Sequence, residues 1–166
     1  PISEDEIRSA RRHDSEQLTE QLGMPQASRD AVWSNLSDEY FLRFAPEEIA
    51  WHTLALAGCS QADLPLVLLR PISQWGSAEV FIYLPYHDHN FANSTAILDQ
   101  LGLTILDARL ITTSHGYTLN SYQVLEQNNA PIHNLMRQTE IANRLRAGLL
   151  NPNEPTMRSA RWQASR

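Results

Sequence analysis

The sequence predicts an α+β fold, in which a four-stranded antiparallel sheet carries two helices on one face and follows a helical segment. Apolar periods of two and of 3.6 residues give the order strand, helix, strand, strand, helix between residues 78 and 150. A further apolar strand at residues 66–70 precedes this unit, and no convincing strand follows it. Because a bare sheet edge exposes unpaired backbone groups, the early strand is predicted to fill the vacant edge.

The helical segment at residues 1–63 is predicted from its capping residues. Ser3 and Glu6 have the spacing of a capping box at the start of a long first helix. Apolar residues are sparse along that helix, so we expect it to lie on the surface or to have its partner outside this chain. Ser28 is predicted to cap a short second helix, and Pro46 suits the first position of a later one.

Residues 64–151 are predicted to form one domain built on the sheet. The predicted order of strands across the sheet is 66–70, 80–84, 117–125 and 105–113. The loop at residues 73–77 returns the first strand to the second as a hairpin. Residues 152–166, which carry three arginines and one tryptophan, are predicted to be a linker towards a missing downstream domain.

A polar loop separates the strand at residues 80–84 from the helix at residues 91–101. It begins after Pro85 and contains Tyr86, His87, Asp88 and His89. Asn90 is predicted to cap the helix, because its side-chain oxygen can accept an orphan N–H of the first turn. Backbone N–H groups and the positive end of the helix dipole meet here, so the loop is a candidate site for a carboxylate.

The buried faces of the strand that contains Asp107 and of the second helix are predicted from their apolar residues. Asp107 is polar within an apolar strand, which allows two interpretations. In the first it faces a ligand or a partner subunit, and in the second it faces solvent. The second interpretation is favoured, because Leu106, Ala108 and Leu110 would then share the buried face. The second helix, at residues 132–150, is predicted to bury one side, which carries Ile132, Leu135, Met136, Ala142, Leu145 and Leu149.

Composition narrows the class of protein. The chain has 166 residues and is 42% hydrophobic, which is enough for a core, and its formal charge of −6 argues against a nucleic-acid partner. Its single cysteine, Cys59, cannot form an internal disulfide, which indicates a reducing compartment and predicts a cytoplasmic location. No apolar run approaches membrane-spanning length, so no membrane partner is predicted. Because the chain begins at Pro1 without an initiator Met, we interpret it as a piece of a larger protein.

Two segments resemble one family. Residues 78–125 resemble an ACT domain, a ferredoxin-like sensor of small ligands, and the run LGLTILDARLITTSHGY at residues 101–117 carries the likeness. It is similar to the first C-terminal ACT domain of bacterial bifunctional uridylyltransferase/uridylyl-removing enzymes. Upstream, YFLRFAPEEIAWHT at residues 40–53 resembles the segment that precedes that domain in the same family. Two motifs in the right order make the resemblance specific.

The resemblance implies a regulatory fragment that senses glutamine or another small amino acid. The parent enzyme would attach uridylyl groups to the PII signal protein and remove them, with Mg²⁺ as its metal, while this fragment carries no cofactor. Other domains of the parent, and a second ACT domain forming an ACT–ACT dimer, are the implied partners. In ACT domains the loop before the first helix contacts the ligand, which here implies Tyr86, His87, Asp88, His89, Asn90, Phe91 and Ala92. The usual loop pattern is matched at Phe91 alone, since Tyr86 stands where the family has an Asp.

Three functions remain open at this stage. The first is glutamine sensing, with Asp88 or Asn90 recognising the amide of the ligand. The second is an interaction module, in which the altered loop has lost its ligand and the domain docks against other domains of the parent. The third is a metal-dependent enzyme that uses His87, Asp88 and His89, although neighbouring loop residues rarely all face one ion. The sequence shows no glycine-rich phosphate loop and no paired acidic motif, so no catalytic residue is predicted.

Overall fold

The structure is a computed structural model that describes residues 1–72 and 76–151. The chain divides into two compact units. The helical unit contains residues 1–63 together with residues 111–117, and the sheet unit contains residues 64–110 and, within the described part of the chain, residues 118–151. The predicted linker at residues 152–166 and the centre of the predicted loop at residues 73–77 lie outside the described residues.

The capping residues determine where the helices of the helical unit begin. They are α1 (Glu4–Gln21), α2 (Gln26–Trp33), α3 (Glu39–Arg43) and α4 (Pro46–Ala57), followed by a 3₁₀ turn at Gln61–Asp63. The Ser3 hydroxyl accepts the N–H of Glu6 at 3.2 Å, so the predicted start of α1 is confirmed. The prediction that Ser28 caps α2 is wrong, because Pro25 holds the cap position and its fixed φ of −62° already directs the chain into the helix. Pro46 occupies the first position of α4 as predicted.

The helical unit has an aromatic core crossed by two buried polar bonds. Trp33, Tyr40 and Phe41 are each at most 3% exposed. The Trp33 indole donates to Thr53 at 3.0 Å, and the Tyr40 hydroxyl lies 2.8 Å from Nδ1 of the buried His52. These bonds satisfy the polar atoms that the core would otherwise leave unpaired.

Helix α1 packs through small polar residues. It contacts α3 and α4, and Ser15 and Thr19 on its inner side are fully buried. Both hydroxyls donate to carbonyls one turn earlier, Ser15 to Arg11 at 2.6 Å and Thr19 to Ser15 at 2.9 Å. Most residues of α1 are exposed, so the helix lies on the surface, which was the first of the two expectations, and its inner side packs within this chain. Few apolar residues are needed for that contact, because a serine or threonine that bonds its own backbone can be buried at low cost.

The sheet unit has the predicted α+β architecture. Its elements are β1 (Leu66–Pro71), β2 (Ala78–Pro85), α5 (Asn90–Gln100), β3 (Leu103–Thr112), β4 (Tyr117–Glu126) and α6 (Leu135–Leu150). The strand order is β1-β2-β4-β3, which confirms the predicted order and the edge position of the early strand. Strands β1 and β2 are antiparallel, with Leu66 opposite Tyr83 and Pro71 opposite Ala78.

The core of the sheet unit lies between the sheet and its two helices. It is formed mainly by Val80, Ile82, Leu84, Ile97, Leu98, Val124, Ile132, Ile141 and Leu145. Helix α6 begins three residues later than predicted, because Asn134 caps it by accepting the N–H of Met136 at 2.8 Å. Leu135 and Met136 are consequently 75% and 82% exposed, so their predicted burial is wrong.

Strand β3 departs from a regular alternation. Leu106 and Leu110 are 50% and 40% exposed, so the prediction that they share a buried face is wrong. Ile105 and Ala108 pack on the core instead, and both intervening residues are exposed. The alternation therefore shifts by one residue along this edge strand, which leaves Asp107 exposed, as favoured, and paired with Arg109 at 3.1 Å.

No helix within the described residues has the length and apolar character needed to cross a membrane.

Candidate functional site

The candidate site is the loop between β2 and the first turn of α5. Tyr86, His87, Asp88 and His89 are all exposed, and so are Phe91 and Ala92 in the first turn. The carbonyl of His87 accepts the N–H of Asn90 at 3.1 Å, which closes a tight turn before the helix. The structure therefore brings six of the seven predicted site residues to one continuous surface.

Asn90 is the exception, because its side chain turns inward. It is 8% exposed, and its Nδ2 donates to the carbonyl of Pro85 at 2.9 Å. The cap position belongs to His89, which has helical angles (φ −89°, ψ −5°) and makes no side-chain capping bond. The prediction that Asn90 caps α5 is therefore wrong, and its amide is already used to hold the loop.

The start of α5 is left electropositive by this arrangement. No side chain caps it, and its first turn carries no acidic residue. The sequence places no lysine or arginine between Arg70 and Arg109, so the helix dipole is the positive feature within that stretch. A carboxylate could be held here by backbone N–H groups, whereas an extended cationic pocket is not provided by these residues.

A chain of hydrogen bonds links the first turn of α5 to the sheet. The Ser94 hydroxyl donates to the carbonyl of Asn90 at 2.8 Å and lies 2.6 Å from the Tyr122 hydroxyl. Nδ2 of Asn120 reaches the same tyrosine oxygen at 3.4 Å. Burial raises the pKa of Tyr122, and the bonds to Ser94 and Asn120 oppose that rise only in part.

Sequence reasoning missed this chain of bonds, although β4 carries a signal for it. Thr118, Asn120 and Tyr122 alternate along the strand, so they share one face with the core residue Val124. Polar residues at alternate positions on a core-facing side are unusual, and they point to a buried hydrogen-bond network.

The metal interpretation receives no support from the geometry. Among residues 1–72 and 76–151, no group of three or more His, Cys, Asp or Glu side chains is placed to hold a metal ion. His87, Asp88 and His89 are therefore neighbours in a turn and do not form a ligand set.

The fold is of the α+β class, with a four-stranded antiparallel sheet and helices, and it is consistent with a ferredoxin-like ACT fold preceded by a helical region. Residues 3–55 match the family model described as "Uridylyltransferase GlnD fifth domain". Proteins named bifunctional uridylyltransferase/uridylyl-removing enzyme are similar over most of the chain. The one from Methylococcus capsulatus is 48% identical over 89% of the chain, and those from Stutzerimonas stutzeri and Pseudomonas aeruginosa are 37% and 36% identical over 91% and 93%.

The chain matches one region of proteins named bifunctional uridylyltransferase/uridylyl-removing enzyme. It spans 17% of the length of the Methylococcus capsulatus relative and of the Stutzerimonas stutzeri relative, so it corresponds to one region of a much longer enzyme. The other domains of that enzyme are therefore natural neighbours of this chain.

Proposed function

We propose that the chain is a regulatory region of a bifunctional uridylyltransferase/uridylyl-removing enzyme and that its ACT-type domain binds glutamine. In this proposal glutamine shifts the balance between attaching uridylyl groups to the PII signal protein and removing them. The observation that carries it is the uncapped start of α5 beneath an exposed loop, in a chain whose relatives have this double activity.

The ligand would be held mainly by its carboxylate. The N–H groups at the start of α5 would receive it, and a helix terminus contributes about 0.3–1 kcal/mol at an exposed site. That interaction alone gives weak binding, so useful affinity needs contacts to the side-chain amide and to a neighbouring domain. Asp88 is exposed and free to accept from that amide, whereas Asn90 is committed to Pro85. We expect the chain by itself to bind glutamine weakly or not at all.

A titration followed by NMR tests this assignment, because it detects millimolar binding. Glutamine should shift the amide signals of residues 86–92, and Asp88→Ala should weaken the effect. Asp99→Ala is the matched control, since Asp99 is an exposed carboxylate near the other end of the same helix. Tight binding that leaves the amides of residues 86–92 unmoved would show that the site lies elsewhere.

Regulation follows only if glutamine distinguishes two states of the parent enzyme. A coupling of about 1–3 kcal/mol between the ligand site and the catalytic domains is typical of allosteric proteins. Catalysis, and the Mg²⁺ that we assign to it, would belong to other domains of the parent. The chain alone, supplied with the PII protein, UTP and Mg²⁺, should therefore neither attach nor remove uridylyl groups; turnover by a highly purified sample would overturn this.

A second candidate function is an interaction module without a small ligand. Two exposed aromatic residues of the loop favour it, Tyr86 at 56% and Phe91 at 45% exposed. Edge strand β3, with Leu106 and Leu110 exposed, offers a place for an ACT–ACT dimer or for another domain of the cytoplasmic parent enzyme. Calorimetry of the parent enzyme separates the two functions, because an interaction module would give no heat with glutamine, while Tyr86→Ser would weaken assembly of the parent.

A further inference from the structure

Helix α5 buries different kinds of side chains along its length. In its first half the buried residues are Asn90, Asn93 and Ser94, which are 8%, 4% and 1% exposed. In its second half they are Ile97 and Leu98, which are 7% and 0% exposed. Within the described part of the chain, the apolar core of the sheet unit takes residues of α5 from Ile97 onward and none before it. Because apolar burial is the main force that holds a helix on a sheet, the two halves are held with different strength.

The second half of α5 is fixed by helix α6. Ile97 lies against Gly148 of α6, where an added Cβ would overlap with Cδ1 of the isoleucine, so the two helices approach as closely as glycine allows. The guanidinium of Arg137, also on α6, donates to the carbonyl of Leu101 at the end of α5. Close apolar packing and a charged hydrogen bond therefore both hold this half.

The first half of α5 is held mainly by hydrogen bonds. The hydroxyls of Ser94 and of Tyr122 on β4 lie 2.6 Å apart, and either of them can donate. The Asn90 amide donates to the carbonyl of Pro85 at the end of β2. Phe91, whose ring centre is 6.2 Å from that of Tyr122, is 45% exposed and so buries little apolar surface. Such bonds are exchanged for bonds to water when the contact opens, so their net contribution is small.

The first half is also the weaker part of the helix itself. The Ser94 hydroxyl donates to the carbonyl of Asn90 at 2.8 Å, and the Thr95 hydroxyl donates to that of Phe91 at 2.9 Å. Bonds of this kind slightly destabilise a helix, because the side chains compete for its backbone carbonyls. The start of α5 has no side-chain cap, which would otherwise stabilise the first turn.

We propose that the first two turns of α5, residues 90–96, open from β4 as a local unit together with the loop at residues 86–89. The helix from Ile97 onward stays packed on the sheet and on α6. This opening exchanges the bond between Ser94 and Tyr122 for bonds to water and exposes little apolar surface, so it requires less free energy than unfolding of the sheet unit. The loop thereby has two positions, and a partner that contacts only one of them would shift the balance. The inference does not rest on the proposed glutamine site.

Native-state hydrogen exchange of the 166-residue chain, followed by NMR, measures this opening. After correction for intrinsic rates, the amides of Ser94 and Thr95 should exchange at least about tenfold faster than those of Leu98 and Leu101. In low urea the protection of the first pair should stay constant while that of the second pair falls. The reason is that the effect of urea scales with the surface exposed by each opening.

Two variants identify the contacts that break. Tyr122→Phe leaves the helix sequence untouched and should speed exchange at Ser94 and Thr95 by about two- to tenfold, because the hydroxyl bond that closes the unit is lost. Tyr86→Phe, in the exposed loop, is the matched control and should leave these rates unchanged. Arg137→Ala should speed exchange at Leu101 and leave Ser94 and Thr95 unchanged, because the local opening does not break the contacts of Arg137.

Three results would overturn the inference. Equal protection along α5, or an equal loss at all its amides in Arg137→Ala, would show that the helix opens as one element. Unchanged exchange at Ser94 and Thr95 in Tyr122→Phe would show ordinary fraying of a helix end, without separation from β4. These measurements need no ligand, so the outcome of the glutamine titration neither supports nor weakens the inference.

Discussion

Tyr122 is the residue that ties the start of α5 to the sheet. Its hydroxyl lies between Ser94 and Asn120, and burial raises its pKa above the ordinary value. The folded state therefore holds the phenol proton more strongly than the unfolded state does. The stabilisation is fully present below the unfolded pKa, near 10, and is lost as the pH rises through the higher folded pKa.

Replacing Tyr122 by Phe gives a prediction for alkaline stability. At neutral pH the variant should be less stable by about 0.5–1.5 kcal/mol, because one buried hydrogen-bonding group is removed. Above pH 10 its stability should fall less steeply than that of the wild type, and the chain has no lysine to obscure the comparison. Urea unfolding between pH 8 and 11 measures both effects, with Tyr86→Phe as the exposed control. Parallel pH profiles would contradict the assignment.

Arg137 gives a second prediction at this scale. Its guanidinium binds both carboxylate oxygens of Glu126, at 2.7 and 2.9 Å, and reaches the carbonyl of Leu101 at the end of α5. These bonds join α6 to β4 and α5, and the hydrogen bond to Glu126 raises the pKa of Arg137 above its ordinary value. Arg137→Ala should destabilise the chain by about 1.5–3 kcal/mol, as expected for hydrogen bonds to charged groups.

Chemical denaturation of Arg137→Ala, compared with a control variant on the same helix, measures the loss in free energy of unfolding. Arg144→Ala, a substitution two turns further along α6, should change the free energy of unfolding by less than about 0.5 kcal/mol. Equal effects at the two positions would mean that helix propensity, and not the contacts of Arg137, determines the loss.

Single residues show where sequence reasoning stops. The loop could be located from Pro85, the polar run and a helical period, all of which are local signals. The direction of the Asn90 side chain could not be predicted from the sequence. The amide of an asparagine before a helix can either cap the helix or donate to a preceding carbonyl, as Asn90 does to Pro85. The alternating polar residues of β4 indicate a buried network, but its partner Ser94 on α5 depends on packing between the two elements, which no local pattern encodes.

Among the elements, β1 is the one whose attachment to the sheet is best defined. Arg70 and Glu79 are directly opposite in the register of β1 and β2, and their side chains form an ion pair at 3.2 Å. Glu79 is fully buried and also accepts from the Ser121 hydroxyl at 2.6 Å on β4. A buried carboxylate therefore joins three neighbouring strands and favours a single register.

A double-mutant cycle on Arg70 and Glu79 tests this role. Because removing Arg70 alone deprives a buried carboxylate of one partner, the coupling energy should be about 1–3 kcal/mol. The pair Asp107 and Arg109 on β3 is the comparison, and it should give at most about 1 kcal/mol because Asp107 is half exposed. A coupling near zero for Arg70 and Glu79 would show that the register of β1 has another origin.

The elements also differ in how far they could be predicted. The edge position of β1 followed from a general requirement, that sheet edges be covered, and it is confirmed. The start of α6 and the buried face of β3 were wrong for one shared reason. Apolar residues at Leu106, Leu135 and Met136 fit the expected period, but neither the cap at Asn134 nor the shift in alternation of β3 can be read from hydropathy.

At the scale of the whole molecule, the tip of the β3–β4 hairpin belongs to the helical unit. The N–H of Ser114 donates to the carbonyl of Asn35 at 3.0 Å, and Gln61 donates to the Tyr117 hydroxyl at 2.9 Å. An exposed turn would normally exchange its amide hydrogens quickly. These bonds instead make the tip part of the folded structure that contains α2.

Hydrogen exchange of the intact chain tests whether the tip of the β3–β4 hairpin unfolds together with α2. The Ser114 amide should be protected, and in increasing urea its protection should disappear together with that of α2 and not with that of β2. Gly116, whose N–H reaches the Thr113 carbonyl at 3.5 Å, provides an internal comparison with a weaker bond. Loss of the Ser114 signal within the dead time would show that the Asn35 bond does not persist in solution.

The position of β1 also determines how the sheet would respond to force. The strand begins at Leu66, opposite Tyr83, and its turn lies at the other end, where Pro71 is opposite Ala78. Tension on the chain before Leu66 would load the ladder at its open end, so the hydrogen bonds would break one after another, as in a zipper. Helix α6 also packs on β1, and Arg146 donates to the carbonyl of Pro65 at 2.9 Å, so this separation would also detach β1 from α6.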